Sequence, residues 1–417
     1  MKSRNAVRRT LLLLLVGSLA MAACGRSASD NKSGSGTGAS APGISSDTVT
    51  IGSSYPLSGA LAANGTAAQA GAQAYFNSIN DAGGVTFSDG AKRKINFVNY
   101  DDGYDPARAV QNYQKLVNQD HVFALMQTFG TAPNLAIMPS ANRDQVPQLF
   151  PYSGAAVFSE NQKASPWTIG LLPTYQAEGT AYAKYFVAQG KPLTVAVLSQ
   201  ADDLGKAYVQ GLEAGIAGSQ VQITARQTYA ATDPTVDSQV TNLAATKPDV
   251  FFTAVAIPKL EVSALKKAAE IGWNPTIAML SIANGINQVV KPAGLTGSDR
   301  LFTAGSIKVA DDPQWANDKA VTTYLAQMKK TNASADPTLS NAEWGYAAAA
   351  SLVKALQGMK EISRSGLMQA VHGLSGYAAP LLLPDTTLDG SALNTPLVKS
   401  LQLQKFTDGS WQQLPPS

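Results

Sequence analysis

From residue 47 onward, short β-rich apolar runs alternate with longer stretches whose apolar residues recur at helical spacing. That alternation builds parallel sheets covered by helices. Residues 49–53 read as a strand, after which Ala68, Ala72, Tyr75, Phe76 and Ile79 share one helical face, closed by Gly83 and Gly84. A strand follows at 95–100. Asp105 and Pro106 supply an N-cap and a first-turn proline for a helix that turns Val110, Tyr113, Leu116 and Val117 inward. Strands at 122–126 and 146–150 complete a first sheet.

A second series begins after Pro166. Residues 193–198 and 250–255 are continuous apolar runs, as central parallel strands require. Between them Leu204, Tyr208, Leu212 and Ile216 follow a four-residue step, and later Leu265, Ala269, Ile271 and Gly272 suit a helix end. Further strands fall at 277–280 and 301–305, an Ala-rich helix at 341–357, and a terminal hairpin after 401–406 that turns at Asp408-Gly409. The pattern predicts two α/β lobes of comparable size. A chain of 417 residues is too long for one core, and its 15% charged residues fall well below the roughly 25% of an average soluble protein, which suits tight packing.

The N-terminus has a different character. Basic Lys2 to Arg9, an apolar run at 11–19 and Met21-Ala22-Ala23 before Cys24 make residues 1–23 a secretory signal. Its apolar run is shorter than the about 20 residues that a membrane-spanning helix needs. Small residues before the only cysteine resemble a bacterial lipobox, which implies lipidation at Cys24 and a membrane contact through that lipid. Residues 24–46 are Gly- and Ser-rich and are expected to act as a linker, holding the body on the extracytoplasmic side of a cell membrane. Four basic residues of the signal (Lys2, Arg4, Arg8 and Arg9) account for the formal charge of +3, so the rest of the chain carries −1.

A near-neutral body argues against nucleic acid, and the local clusters Lys92-Arg93-Lys94 and Lys266-Lys267 read as solvated faces. One cysteine and two histidines leave too few ligands for a zinc site and none for a disulfide. Asp101, Asp102 and Asp105 suit a helix cap and a loop turn better than a metal. His121, next to Asp120, and His372, near a helix end, read as structural. The chain contains no G-x-S-x-G elbow, no phosphate loop and no strand-linked dinucleotide fingerprint. No enzyme, cofactor or metal is expected.

The run from Thr50 through Pro56-Leu57-Ser58-Gly59, the segment at 80–85 and the stretch at 101–115 together resemble the leucine/isoleucine/valine-binding family of periplasmic binding proteins, in its lipoprotein form. The resemblance covers about 49–411. It implies a type I periplasmic-binding-protein fold: two doubly wound parallel-sheet lobes joined by a three-crossing hinge. The expected division is lobe 1 at 47–168 plus 300–378 and lobe 2 at 169–299 plus 379–417. It also implies a monomeric body that captures a small molecule between the lobes and delivers it to the permease subunits of an ABC-type importer. A ligand-sensing receptor lipoprotein that signals to a partner protein is the alternative.

In open parallel sheets, ligands sit beyond the carboxyl ends of the strands, where helix N-termini point donors outward. The resemblance places Tyr55, Ser58, Asn64, Phe129, Gly130, Thr131, Tyr152, Ser153 and Gly154 there in one lobe, and Leu204, Ile257 and Ile282 in the other. Tyr55 and Tyr152 would either stack on a planar ligand or pack under the loops, and Asn64 would either bind ligand or cap its helix. Several positions depart from the amino-acid-binding pattern. Gly130 and Gly154 stand where a serine and a threonine are usual, Leu204 stands for a tyrosine, and Ile282 for the acid that pairs with a ligand ammonium. A buried ammonium without a counter-charge is costly. Unless Asp202 or Asp203 reaches it, the expected ligand is no ordinary α-amino acid but an aromatic or aliphatic acid or an amide-like compound.

Overall fold

A computed structural model describes residues 41–415. The first sheet contains β1 (Thr48–Tyr55), β2 (Val85–Thr86), β3 (Lys92–Asp101), β4 (Ala124–Met126), β5 (Gln148–Leu149) and β6 (Thr168–Ile169), in the order β2-β3-β1-β4-β5-β6. All its pairings are parallel except β2 with β3. The helices α1 (Ala62–Asp81), α2 (Pro106–Asn118) and α3 (Thr131–Arg143) each follow a strand of this sheet. Asp105 caps α2 as expected, accepting from Ala107 N at 2.7 Å.

The second sheet begins with β7 (Leu193–Gln200), β8 (Val221–Tyr229), β9 (Val250–Ala254), β10 (Thr276–Met279) and β11 (Leu301–Gly305), all parallel. The helices α4 (Tyr175–Ala188), α5 (Asp203–Ile216), α6 (Asp237–Ala244) and α7 (Pro258–Glu270) belong with it. Helices α8 (Lys319–Thr331), α9 (Ser340–Gly358) and α10 (Arg364–His372) pack against the core of the first sheet. The chain then forms a small pair, β12 (Ser375–Tyr377) with β13 (Leu388–Asp389), and ends in the hairpin β14 (Gln402–Thr407) and β15 (Ser410–Gln413). β14 joins β11 antiparallel, which gives the order β15-β14-β11-β10-β9-β7-β8. The chain therefore passes between lobes three times: after β6, after β11 and just before β14.

Three expected boundaries shift, each for a visible reason. Residues 301–305 pair with β10 through Ile277 and Leu301, so they belong to the second sheet, not to lobe 1. Leu388, Leu397 and Val398 are buried in the first core, and Leu397 N donates to Gly170 O, so the chain returns to lobe 2 only after 398 rather than at 379. The linker expected through residue 46 gives way earlier to packed chain. Ile44 is buried and Gly43 O accepts from Thr50 N. No strand is expected at β8, although its sequence alternates apolar and polar residues as a half-exposed edge strand does. Residues 1–40, with the expected signal and Cys24, lie outside the described residues.

The first lobe depends on a close helix pair. Helix α1 buries a face of Ala67, Ala68, Ala70, Gly71, Ala72 and Ala74 against α9, whose own stripe is Ala342, Gly345 and Ala347 to Ala350. A methyl on Gly71 would lie 1.9 Å from Ala342 O, and one on Gly345 would lie 2.2 Å from Ala68 O. Small residues here let two backbones touch. Gly71→Ala gains up to about 1 kcal/mol of helix propensity but forces the helices apart, an overpacking cost of about 1–3 kcal/mol or more. Urea unfolding should show Gly71→Ala less stable than wild type, whereas Gly358→Ala, which meets nothing within 4 Å, should be neutral or slightly stabilising. Equal stability of the two variants would contradict this packing.

Candidate functional site

The strand ends of both sheets converge on one cavity of about 40 Å³. From the first lobe, Leu61 and Asn64 enter with the start of α1, Tyr104 from the turn after β3, and Phe129, Gly130 and Thr131 from the turn between β4 and α3. Tyr152 follows β5, and Asn341 comes from the first turn of α9. From the second lobe come Tyr175 of α4, Gln200 at the end of β7, Leu204 of α5, Ala256 after β9 and Ile282 after β10. Gln127 and Phe150, immediately after β4 and β5, both have φ of 56°, the backbone reversal that turns each strand end toward the cavity.

Polar order in the first-lobe wall is continuous. Asn64 Nδ2 donates to Asn341 Oδ1 at 3.0 Å, and Asn341 Nδ2 donates to the Tyr152 hydroxyl at 3.0 Å. The Thr131 and Ser153 hydroxyls share a hydrogen bond of 2.8 Å. Tyr152 stacks on Phe129 with centroids 4.9 Å apart, and Tyr104 meets Phe129 edge-on at 6.4 Å. No Asp, Glu, Lys, Arg or His side chain lines the cavity. Burial raises the Tyr152, Tyr104 and Tyr175 phenols above their ordinary value.

The acids nearby have other work. Asp202 caps α5, accepting from Leu204 N at 3.1 Å and Gly205 N at 3.3 Å, and takes Gln200 Nε2 at 2.5 Å. Asp203 lies exposed in the first turn of α5. Neither is among the residues that line the cavity, and Glu178 lines a smaller adjoining pocket that shares Tyr175 and Ile282.

A family model described as "Periplasmic binding protein" matches residues 48–399. The chain belongs to the periplasmic binding protein family. The resemblance read from its motifs holds, and the fold of this periplasmic binding protein recurs in solved structures at low identity. A substrate-binding periplasmic protein from Ralstonia solanacearum is 23% identical with a TM-score of 0.75, over 88% of this chain and 99% of that one. A fatty acid ABC transporter substrate-binding protein from Thermomonospora curvata is 21% identical with a TM-score of 0.74, over 91% and 95%. A solute-binding protein of an ABC transporter from R. palustris, in complex with benzoate, is 20% identical with a TM-score of 0.72, over 88% and 95%. Comparison with curated proteins returns no match.

Of the residues expected at the site, Asn64, Phe129, Gly130, Thr131, Tyr152, Leu204 and Ile282 line the cavity. Asn64 is not a helix cap, since α1 starts after Leu61 without a side-chain cap. Ser153 stands behind Thr131, and Gly154 lies under the Tyr175 ring. Three residues are placed elsewhere. Tyr55 is fully buried in the first core, edge-on to Phe97, because β1 is the central strand of its sheet. Ser58 turns away to donate to Asp101 at 2.6 Å. Ile257 packs into the second core at the start of α7, and its neighbour Ala256 faces the cavity instead. Leu61, Tyr104, Tyr175, Gln200 and Asn341 were not anticipated.

Below the second-lobe wall, one turn after Tyr175, lies Glu178. Ser281 N donates to it at 2.8 Å, and the hydroxyls of Ser281, Tyr182 and Tyr208 each lie 3.0 Å from its oxygens. Tyr182 has one proton and its oxygen is also 2.6 Å from Met279 O, while Ala304 N donates to it. A protonated Glu178 completes this set. Burial pushes its carboxyl up from 4.5 to about 7, against the lowering by its hydrogen bonds.

Because the folded-state pKa is raised, the stability this group lends is complete below about pH 4.5 and is lost as pH climbs through 7. At about 1.4 kcal/mol per unit, the loss is on the order of 3 kcal/mol. Urea unfolding at pH 5, 7 and 9 should show Glu178→Gln losing less stability across this range than wild type. Parallel pH curves would contradict the assignment.

Proposed function

We propose that this protein is the solute-binding lipoprotein of an ABC-type importer. It captures a small aromatic or aliphatic acid or amide between its lobes and presents it to the permease. The carrying observation is the uncharged cavity, walled by Tyr104, Phe129, Tyr152, Tyr175, Leu204 and Ile282, where the strand ends of both sheets meet. Rings and aliphatic chains favour an apolar body, and the amides and hydroxyls supply a few orienting bonds. Fatty acid transport and benzoate in the names of two structural neighbours support that ligand class. With about 40 Å³ between the lobes as they stand, a ligand is admitted when they separate and is enclosed when they swing back on the three crossings. Lipid at Cys24 would keep a monomeric body on the extracytoplasmic face, beside its permease. Among the described residues no helix is long and apolar enough to cross a membrane.

A thermal-shift panel of leucine, valine, benzoate, phenylacetate, hexanoate and benzamide tests this reading. A ligand held only by the folded form stabilises it by about 2.7 kcal/mol at a concentration one hundred times Kd. At least one of the last four compounds should raise Tm, and leucine and valine should not. The largest shift with leucine or valine, or none with any compound, would overturn it.

A further inference from the structure

Two glycines in the first-lobe wall lie directly under tyrosine rings. A methyl on Gly130 would come within 2.3 Å of Tyr104 Cε2, and one on Gly154 within 2.6 Å of Tyr175 Cδ1. Carbon atoms do not approach so closely, so any side chain at either position would evict its ring. Both rings are held in place. Tyr104 has φ of 66°, a conformation costly for a bulky residue. Asp102 maintains it by accepting Tyr104 N at 2.8 Å, and the Ser54 hydroxyl fixes Asp102 at 2.6 Å. Tyr175 stacks on Tyr208 with centroids 4.7 Å apart, and its N–H donates to Gly154 O at 2.8 Å. One ring belongs to the first lobe and the other to the second.

Tyr104 lies over Gly130, the residue before α3, and Tyr175 lies over Gly154, next to Ser153, whose hydroxyl is already hydrogen-bonded to that of Thr131 at 2.8 Å. Donors at a helix N-terminus are what a carboxylate would otherwise take. A phenol set over that turn has its own proton to give, so the wall offers an occupant neutral O–H groups there. An anion there would meet no cationic side chain in the lining. Desolvating a charge without a partner is far costlier than burying a hydrogen-bonded neutral group.

We propose that Tyr104 and Tyr175 set the ligand class of this cleft. Seated on Gly130 and Gly154, they select a neutral hydrogen-bond acceptor on an apolar or aromatic body over the matching carboxylate. The inference rests on reading the cleft as the ligand site.

Benzamide and benzoate share a shape and differ in charge, which makes them the probe pair. Calorimetry at pH 7.5 should find wild type binding benzamide at least tenfold more tightly than benzoate. The Y104F/Y175F variant, which keeps both rings, should lose at least tenfold in benzamide affinity. Without the two O–H donors, it should also shift the preference toward benzoate. Wild type that prefers benzoate, a variant with the wild-type ratio, or wild type that binds neither compound overturns the inference. If wild type binds neither while another compound of the panel raises Tm, the cleft still binds solute and only the ligand-class inference falls; if none does, both fall.

Discussion

The carboxylates of Asp101, Asp102, Asp202 and Glu178 are committed to the protein before a ligand arrives, and the character of the site follows from that. Buried or half-buried carboxylates are tolerated only when their oxygens are satisfied. Asp101 accepts from the backbone of Leu57, Ser58 and Gly103 and so fixes the loop after β1. Asp102 holds the Tyr104 turn, Asp202 caps α5, and Glu178 joins α4, α5 and the segment after β10. The acids shape the walls, and what remains facing the cavity is aromatic, aliphatic or a neutral hydrogen-bonding group. A charged amine gains nothing by entering such a space.

The same commitments make each wall a unit. In the second lobe, Tyr175 stacks on Tyr208, Tyr208 bonds to Glu178, and Glu178 holds Ser281 next to Ile282. Three separate elements thus carry their cavity residues together, just beyond the first crossing between lobes. In the first lobe the chain of Asn64, Asn341 and Tyr152 ties α1, α9 and the loop after β5. The close α1 and α9 contact sets the spacing that this chain requires. The three crossings are the segments of chain that join these two walls' lobes.

Much of this architecture was legible in the sequence. Continuous apolar runs at 193–198 and 250–255 mark central strands because parallel strands are buried on both faces, and Asp105-Pro106 announces α2 because capping is local. The two-residue β6 carries too little periodic signal. The cleft was half legible. Loops adjacent to strong motifs led to Phe129, Thr131, Tyr152 and Ile282. Tyr55 misled because an aromatic at a strand's end looks the same in sequence whether it faces core or cleft. Asn341 lies 277 residues from its partner Asn64, and no local pattern joins them. Gly130 and Gly154 were visible as departures, but only the structure shows that tyrosine rings fill the space above them.

A crystal structure with the compound that gives the largest thermal shift tests the central claim most directly. The account predicts the ligand between the lobes, in contact with Tyr104, Phe129, Leu204 and Ile282, while Asp102, Asp202 and Glu178 keep their present partners. A ligand bound outside this cavity, or Asp202 or Asp203 turned in to meet a ligand cation, would contradict it.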